Sequence, residues 1–229
     1  MKDFLLDIAS LIYPRVCVAC TGSLFKHEQH ICNKCYIILP KTDYHLQKDN
    51  PLHKVFYGRA DVTLASSFLF FQKKGMVQKM LHALKYKGKP EVAQLLGKWY
   101  AQDLKQSNVP YSFDYIIPVP LHKKRQQKRG YNQSQYFAKG LSEVLDIPVI
   151  THVLIKNYFT ETQTHKTRAE RAENILQSFS IEHAEILENK SILFVDDVIT
   201  TGATLEACII QLQKCANVKV SVASIAYAQ

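Results

Sequence analysis

Hydrophobic positions along the chain follow two periods. Compact runs rich in β-branched and aromatic residues stand at LASSFLFF (64–71), DYIIPVP (114–120), VITHVLI (149–155), SILFV (191–195) and VKVSVASIAYA (218–228). Such residues fit a pleated, buried surface, so these runs predict strands, with SILFV buried throughout. Between them apolar side chains recur every three or four positions: Val77, Met80, Leu81 and Leu84; Val92, Leu95, Leu96 and Trp99; Phe137, Leu141 and Val144; Leu205, Cys208, Ile209 and Leu212. That spacing lines one face of a helix. RAERAENIL (168–176) predicts one more short helix. Strands alternating with helices predict an α/β domain, a parallel sheet with helices on both faces. Ligands of such sheets bind at the carboxyl ends of the strands, so the loops that follow the strands are where chemistry is expected.

The N-terminal quarter breaks the alternation. In MKDFLLDIASLIYP, Phe4, Leu5, Ile8, Leu11 and Ile12 have helical spacing, while Asp3 and Asp7 interrupt the apolar run and no small-residue cleavage site follows. A short amphipathic helix fits this better than a secretory signal. Next comes CVACTGSLFKHEQHICNKC (17–35), a C-x2-C pair, eleven residues and a second C-x2-C pair. Two such knuckles converge four thiolates on one metal, and Cys17, Cys20, Cys32 and Cys35 would close a tetrahedral site with no position open for catalysis. The site is therefore read as structural, with Zn²⁺ as the metal and iron as the alternative. The expected organisation is a helix and zinc ribbon over 1–45, a polar linker over 46–60 and an α/β domain over 61–229.

Composition narrows the picture. The 229 residues are 47% hydrophobic and 21% charged, an ordinary globular balance. Lys and Arg number 29 against 20 Asp and Glu, a net charge of +9. The surplus is local: Lys73, Lys74, Lys79, Lys85, Lys87 and Lys89 form one cluster, and Lys123, Lys124, Arg125, Lys128, Arg129 and Lys139 another. Basic surfaces attract phosphates, on small molecules or on nucleic acid; a solvated face is the plainer alternative. No apolar window is long enough for a membrane span. Four of the six cysteines sit within 17–35, which is not a disulfide framework and fits a reducing, cytoplasmic setting.

The most specific chemistry lies in FVDDVITTGAT (194–204). Asp196 and Asp197 follow a buried strand, and Thr200, Thr201, Gly202 and Thr204 follow them before the next helical stripe. Glycine lets a backbone approach a ligand closely, and amides at a helix start together with threonine hydroxyls suit an anion. Carboxylates suit vicinal hydroxyls, each oxygen accepting a hydrogen bond, and they suit a Mg²⁺ shell. Phosphate on one side and a diol on the other describe a ribose 5-phosphate. No G-x4-G-K-S/T occurs, so the loop is not a Walker phosphate loop.

With those residues in view, FVDDVITTGAT resembles the phosphoribosyl pyrophosphate (PRPP) loop of type I phosphoribosyltransferases. IPVPLHKKRQQKRGYNQSQ (117–135), ALKYKG (83–88), TQTHKTRAERAENILQSF (162–179) and the cysteine-rich N-terminus are similar to the signatures of the ComF family of competence proteins. The pattern departs at His165-Lys166-Thr167, where relatives commonly carry an apolar residue before the arginine.

The resemblance implies a type I phosphoribosyltransferase fold, PRPP as ligand and Mg²⁺ as its companion. It assigns the ribose hydroxyls to Asp196 and Asp197, the 5-phosphate to Thr200, Thr201, Gly202, Ala203 and Thr204, and the pyrophosphate to the turn of Val119, Pro120 and Leu121 with Arg125 and Arg129. Lys85 and Tyr86 would stand on the acceptor side. Thr162, Gln163, Arg168 and Arg171 would belong to a covering loop. The implied function is a Mg²⁺-dependent glycosyltransferase supporting DNA uptake, acting on an acceptor the sequence does not name. The alternatives are a non-catalytic PRPP sensor that binds single-stranded DNA, and a nucleotide-salvage phosphoribosyltransferase. Single-stranded DNA and a competence helicase are the candidate macromolecular partners, and oligomeric state is left open.

Overall fold

The computed structural model describes residues 15–107, 112–157 and 175–228. Its centre is a four-stranded parallel sheet of β1 (Ala65–Phe70), β2 (Tyr115–Pro118), β5 (Ser191–Ile199) and β6 (Lys219–Tyr227), in the order β1-β6-β5-β2. Ser191 faces Lys219 and Ile199 faces Tyr227, so the two central strands pair along their whole length. β3 (Leu154–Lys156) and β4 (Phe179–Ile181) form a separate antiparallel pair. The expected strand 149–155 is divided: Val149 makes a lone parallel bridge to Ile116, and regular pairing resumes only at Leu154.

Alternation of side chains builds a core on each face of the sheet. Along β5, Leu193 and Val195 join a cluster with Phe68, Met80, Leu96, Tyr100 and Phe137, whereas Ile192 and Phe194 join one with Leu52, Phe56, Val153 and Ile209. The first face is covered by α3 (Met76–Tyr86), α4 (Glu91–Gln106) and α6 (Gln133–Leu145), and the second by α7 (Ala203–Leu212) with the β3–β4 pair. No described helix is long and apolar enough to cross a membrane.

The stretch expected as a linker is structured. Pro51–Lys54 forms a helical turn, α2, with Asn50 as its cap, and Leu52 and Phe56 are fully buried. The Asn50 side-chain amide donates to the Ala65 oxygen at 2.8 Å, which ties the segment to β1. Two apolar residues spaced four apart are enough to dock one helical turn, and the surrounding polar residues conceal them from a reading of composition. The cysteine-rich segment, which carries the short helix α1 (Asn33–Ile37), is likewise packed on the sheet domain: Cys17, Ile31, Cys35 and Leu39 share the first cluster, Tyr36 lies 4.5 Å from Trp99 of α4 between ring centroids, and Lys41 pairs with Asp103 at 2.8 Å. Residues 1–14, with the expected N-terminal helix, lie outside the described residues, as does most of the expected helix 168–176.

α4 and α6 cross at two glycines. A Cβ on Gly97 would stand 2.4 Å from the Phe137 oxygen, and one on Gly140 would stand 2.1 Å from the Gln94 oxygen. The helices therefore approach backbone to backbone, which seats α6 and its N-terminal residues close to the sheet. In an exposed helix Gly→Ala stabilises by roughly 1 kcal/mol. At this crossing the sign reverses, and Gly140→Ala is expected to destabilise by about 1–3 kcal/mol, as overpacked sites do. A denaturant titration decides it; an unchanged or raised midpoint would mean the crossing is looser than described.

Candidate functional site

β5 carries the site. The sequence placed the two aspartates just past the end of a strand closing at Val195, but β5 continues to Ile199 because β6 offers Ser224, Ala226 and Tyr227 as partners. The regular alternation is lost at the acid pair. Val195 and Val198, three residues apart, both pack on the α3–α4–α6 side, where strict alternation would separate them. Both carboxylates also reach that side. The Ser134 hydroxyl, in the first turn of α6, donates to Asp196 Oδ1 at 2.9 Å, and the Asp197 backbone N–H donates to the same oxygen at 2.8 Å. Lys85, near the end of α3, places its ammonium 2.7 Å from Asp197 Oδ2. Among the described residues no hydrogen bond occupies Asp196 Oδ2 or Asp197 Oδ1. One oxygen of each carboxylate is thus left without a hydrogen bond from the described residues.

The electrostatics follow from placing two acids together in a half-buried position. Burial, and then the neighbouring Asp197 carboxylate, raise the Asp196 pKa to about 7, against the Asp197 N–H, the Ser134 hydroxyl and Lys85, which favour its charged form. Lys156, at the end of β3, is lowered chiefly by burial, with the Arg125 guanidinium adding to the effect and Cys208 and Asp196 opposing it. Its ammonium also lies 4.7 Å over the Phe179 ring. Lys156 is therefore near enough to feel the charge of both Arg125 and Asp196.

The turn 119–121 lies beside the acids. The Val119 N–H donates to the Val195 oxygen at 2.8 Å, and the Asn132 side chain donates to the Val119 oxygen at 2.9 Å while capping α6. The basic stretch that follows forms α5 (Lys123–Arg129), begun by His122 and ended by Gly130 at φ +86°, with none of its residues buried. Arg129 stands 5.9 Å over the exposed Tyr86 ring, which connects this helix to the end of α3. On the other side of the acids, Gly202 has φ +73°, a conformation glycine adopts without strain, and starts α7; Thr200 and Thr201 are exposed. Of the residues singled out from sequence, Asp196, Asp197, Lys85, Tyr86, Arg129 and the turns 119–121 and 200–204 surround the C-terminal edge of the sheet. Thr162, Gln163, Arg168 and Arg171 lie outside the described residues.

Sequence reasoning assigned no role to Ser134, Asn132 or Lys156. The N-Q-S start of an apolar-periodic helix is a capping signal that points to Asn132 and, through it, to Ser134. A lone lysine in an unremarkable strand gives no signal at all.

A second cluster lies in the N-terminal segment. The sulfurs of Cys17, Cys20, Cys32 and Cys35 all fall within 4.8 Å of one another, and those of Cys20 and Cys32 are 3.8 Å apart. Four sulfurs about 2.3 Å from a central zinc would be separated by about 3.8 Å, so the cluster fits a tetrahedral thiophilic metal. The Cys32 N–H approaches Cys17 Sγ at 3.3 Å and the Gly22 N–H approaches Cys20 Sγ at 3.4 Å. Such donors stabilise thiolate sulfur.

Comparison with known proteins bears on the same elements. A family model described as phosphoribosyl transferase domain matches residues 132–228. Competence protein F of Haemophilus influenzae is 40% identical over 91 residues, 39% of this chain and 40% of that protein. Competence protein ComFC of Bacillus subtilis is 26% identical over 207 residues, 89% of this chain and 81% of its own length. DNA utilization protein YhgH of Shigella flexneri is 26% identical over 193 residues, covering 83% and 80%. These similarities support a ComF-family, phosphoribosyltransferase-like protein. The chain spans less than half of the first of these relatives and about four fifths of the other two. Its parallel sheet flanked by helices fits the type I phosphoribosyltransferase fold, joined to a four-cysteine cluster near the N-terminus. The matched span begins at Asn132 and takes in Ser134, both aspartates and the 200–204 loop. Lys85, the arginines of α5 and the cysteines lie before it.

The raised Asp196 pKa has a sign that can be checked. Unfolded, this acid ionises near pH 4; folded, it holds its proton to about pH 7. Its contribution to stability is full below pH 4, declines as the pH rises to 7, and stays lost above. Asp196→Asn keeps the acceptor for Ser134 and removes the charge. Its stability advantage over the native chain is expected to grow between pH 4 and 7 and then level off, on the order of 2 kcal/mol after allowing for partial exposure. Thermal melts across that range that run parallel would refute the assignment. For the cysteines, the purified chain is expected to carry one thiophilic metal ion per molecule, and Cys32→Ser to lower that content sharply; metal analysis giving none in the native chain would overturn the site.

Proposed function

We propose that the chain binds PRPP together with Mg²⁺ and transfers its phosphoribosyl group, in support of DNA uptake. The observation that supports this most directly is the acid pair on β5, with one oxygen of each carboxylate left without a hydrogen bond from the described residues, set between the Gly202 loop and the 119–121 turn. In this reading Asp196 and Asp197 accept the two ribose hydroxyls, and the amides and hydroxyls of 200–204 hold the 5-phosphate. Val119, Pro120 and Leu121, with Arg125 and Arg129, face the pyrophosphate, where planar guanidinium groups suit several phosphate oxygens at once. Lys85 exchanges its contact with Asp197 for one with the ligand, or shares it. Tyr86 offers a flat exposed surface on the acceptor side.

Cleaving the bond from ribose C1 to the pyrophosphate oxygen leaves positive charge on the sugar and negative charge on the leaving group. The carboxylates favour the first, and the cations of α5 and Lys156 favour the second. When bound, Mg²⁺ supplies further neutralisation of the pyrophosphate. No side-chain nucleophile is needed. In the N-terminal segment, the four thiolates hold zinc in a structural role, since a tetrathiolate leaves no coordination position free.

The role in DNA uptake rests on relatives named for competence and DNA utilization. The exposed basic helix α5 favours a second reading, a PRPP sensor that contacts single-stranded DNA along the same surface.

Calorimetry with PRPP and Mg²⁺ tests the proposal beside the Asp196→Ala/Asp197→Ala variant. The native chain is expected to bind, and the variant to remain folded by circular dichroism and lose at least about tenfold in affinity, the effect of 1.4 kcal/mol. Equal affinities would remove the acid pair from the site. No binding to the native chain, with salt-sensitive binding of a single-stranded oligonucleotide, would leave the DNA-binding reading.

A further inference from the structure

The segment 51–60 does more than fill the core, because Arg59 reaches from it into the 200–204 loop. Arg59 Nη1 donates to the Thr201 carbonyl oxygen at 2.9 Å and to the Val55 oxygen at 3.0 Å, while Nη2 pairs with Glu206 Oε2. Glu206 lies in the first turn of α7, and its own N–H donates to the Gly202 oxygen at 2.8 Å. One guanidinium thus joins the tip of the loop, the helix that follows it and the helical turn that precedes Arg59. The contact is close on the apolar side too: a Cβ on Gly202 would stand 2.8 Å from Val55 Cγ1 and 3.4 Å from Phe56 Cε1.

Geometry then sets the direction of the loop's amide. In a trans peptide the carbonyl and the following N–H point opposite ways. Holding the Thr201 carbonyl toward Arg59 turns the Gly202 N–H away from it, out of the packed side of the loop. Arg59 also faces a charge problem. Glu206 near the start of α7 is favourable for the helix but repels an anion arriving at the same end. The guanidinium covers that carboxylate.

We propose that Arg59 is a positioning residue of the phosphate loop: it fixes the Thr201–Gly202 peptide so that the Gly202 amide faces the 5-phosphate, and it masks Glu206 from that phosphate. The inference rests on the reading of 200–204 as a 5-phosphate cradle. Three of the five N–H donors of Arg59 are taken by Thr201, Val55 and Glu206, so the role assigned to it is to position the loop.

Ribose 5-phosphate and pyrophosphate serve as separate probes, the first for this loop and the second for the 119–121 turn. Arg59→Lys keeps the charge but cannot span Thr201 and Glu206 together. Arg59→Ala/Glu206→Gln removes the repulsion but leaves the peptide unanchored. Both variants are expected to bind ribose 5-phosphate about tenfold more weakly, the effect of about one lost hydrogen bond to a charged group, with pyrophosphate affinity within about twofold of native. Native affinity for ribose 5-phosphate in Arg59→Lys would overturn the positioning role while leaving the cradle intact. Equal weakening of both probes with a lowered melting temperature would also overturn it, reducing Arg59 to a general structural tie. Failure of the native chain to bind ribose 5-phosphate would remove the cradle, and the inference with it.

Discussion

Two carboxylates on consecutive residues are held at the end of the central strand, and the cost of holding them there shapes the surrounding structure. Left to themselves, adjacent half-buried acids repel each other and resist ionisation. The chain does not abolish this conflict but distributes it. Ser134 and the Asp197 N–H share one oxygen of Asp196, Lys85 takes one oxygen of Asp197, and the remaining strain appears as an Asp196 pKa of about 7. Each supporting group comes from a different element: α6, the backbone of β5 itself and α3. The site therefore requires those elements to be seated first, and the glycine crossing of α4 and α6 is what allows α6 to bring Ser134 near enough.

The same dependence runs outward to the two turns beside the acids. Neither is self-supporting. The 119–121 turn is held by a β-type bond from Val119 to Val195 and by the Asn132 side chain, and the 200–204 loop is held by Val55, Phe56 and Arg59. In both cases the anchors come from outside the turn itself: Val195 and Asn132 for the first, Val55, Phe56 and Arg59 for the second. The rigidity of the 200–204 loop comes from its carbonyl side, through Thr201, and from packing beneath Gly202, which leaves its amides uncommitted to holding its shape.

How much of this the sequence made legible depends on the length scale of the signal. Strand and helix periodicity located β1, β2, β5, β6 and the helices α3, α4, α6 and α7, because a buried face repeats over many residues and needs no tertiary knowledge. The acid pair, the Gly202 loop and the four cysteines were legible because their chemistry is carried by neighbours in sequence. What failed were readings that depend on partners far away. The continuation of β5 through Asp196 and Asp197 to Ile199 is decided by the length of β6, and the order in 46–60 is decided by the burial of Leu52 and Phe56 against the second core cluster. Ser134, Lys156 and Arg59 look like surface residues in sequence and become site residues only through folding.

The placement of Lys85 gives the arrangement a direction. Its ammonium pairs with Asp197, while Asp196 keeps a proton up to about pH 7; each acid thus carries a small counterbalance to its charge, one a cation and one a proton. A diol, or a metal ion with its water shell, arriving at the pair offers the carboxylates the hydrogen bonds or charge that Lys85 and the proton now provide. Lys85 would then be released toward whatever negative charge came with the ligand. Because Lys85 sits next to Tyr86, and Tyr86 lies against Arg129 of α5, a shift at Lys85 bears directly on the surface where a second molecule would meet the first. The acid pair on β5 and the basic helix α5 are therefore linked through a single turn of α3, by way of Lys85 and Tyr86.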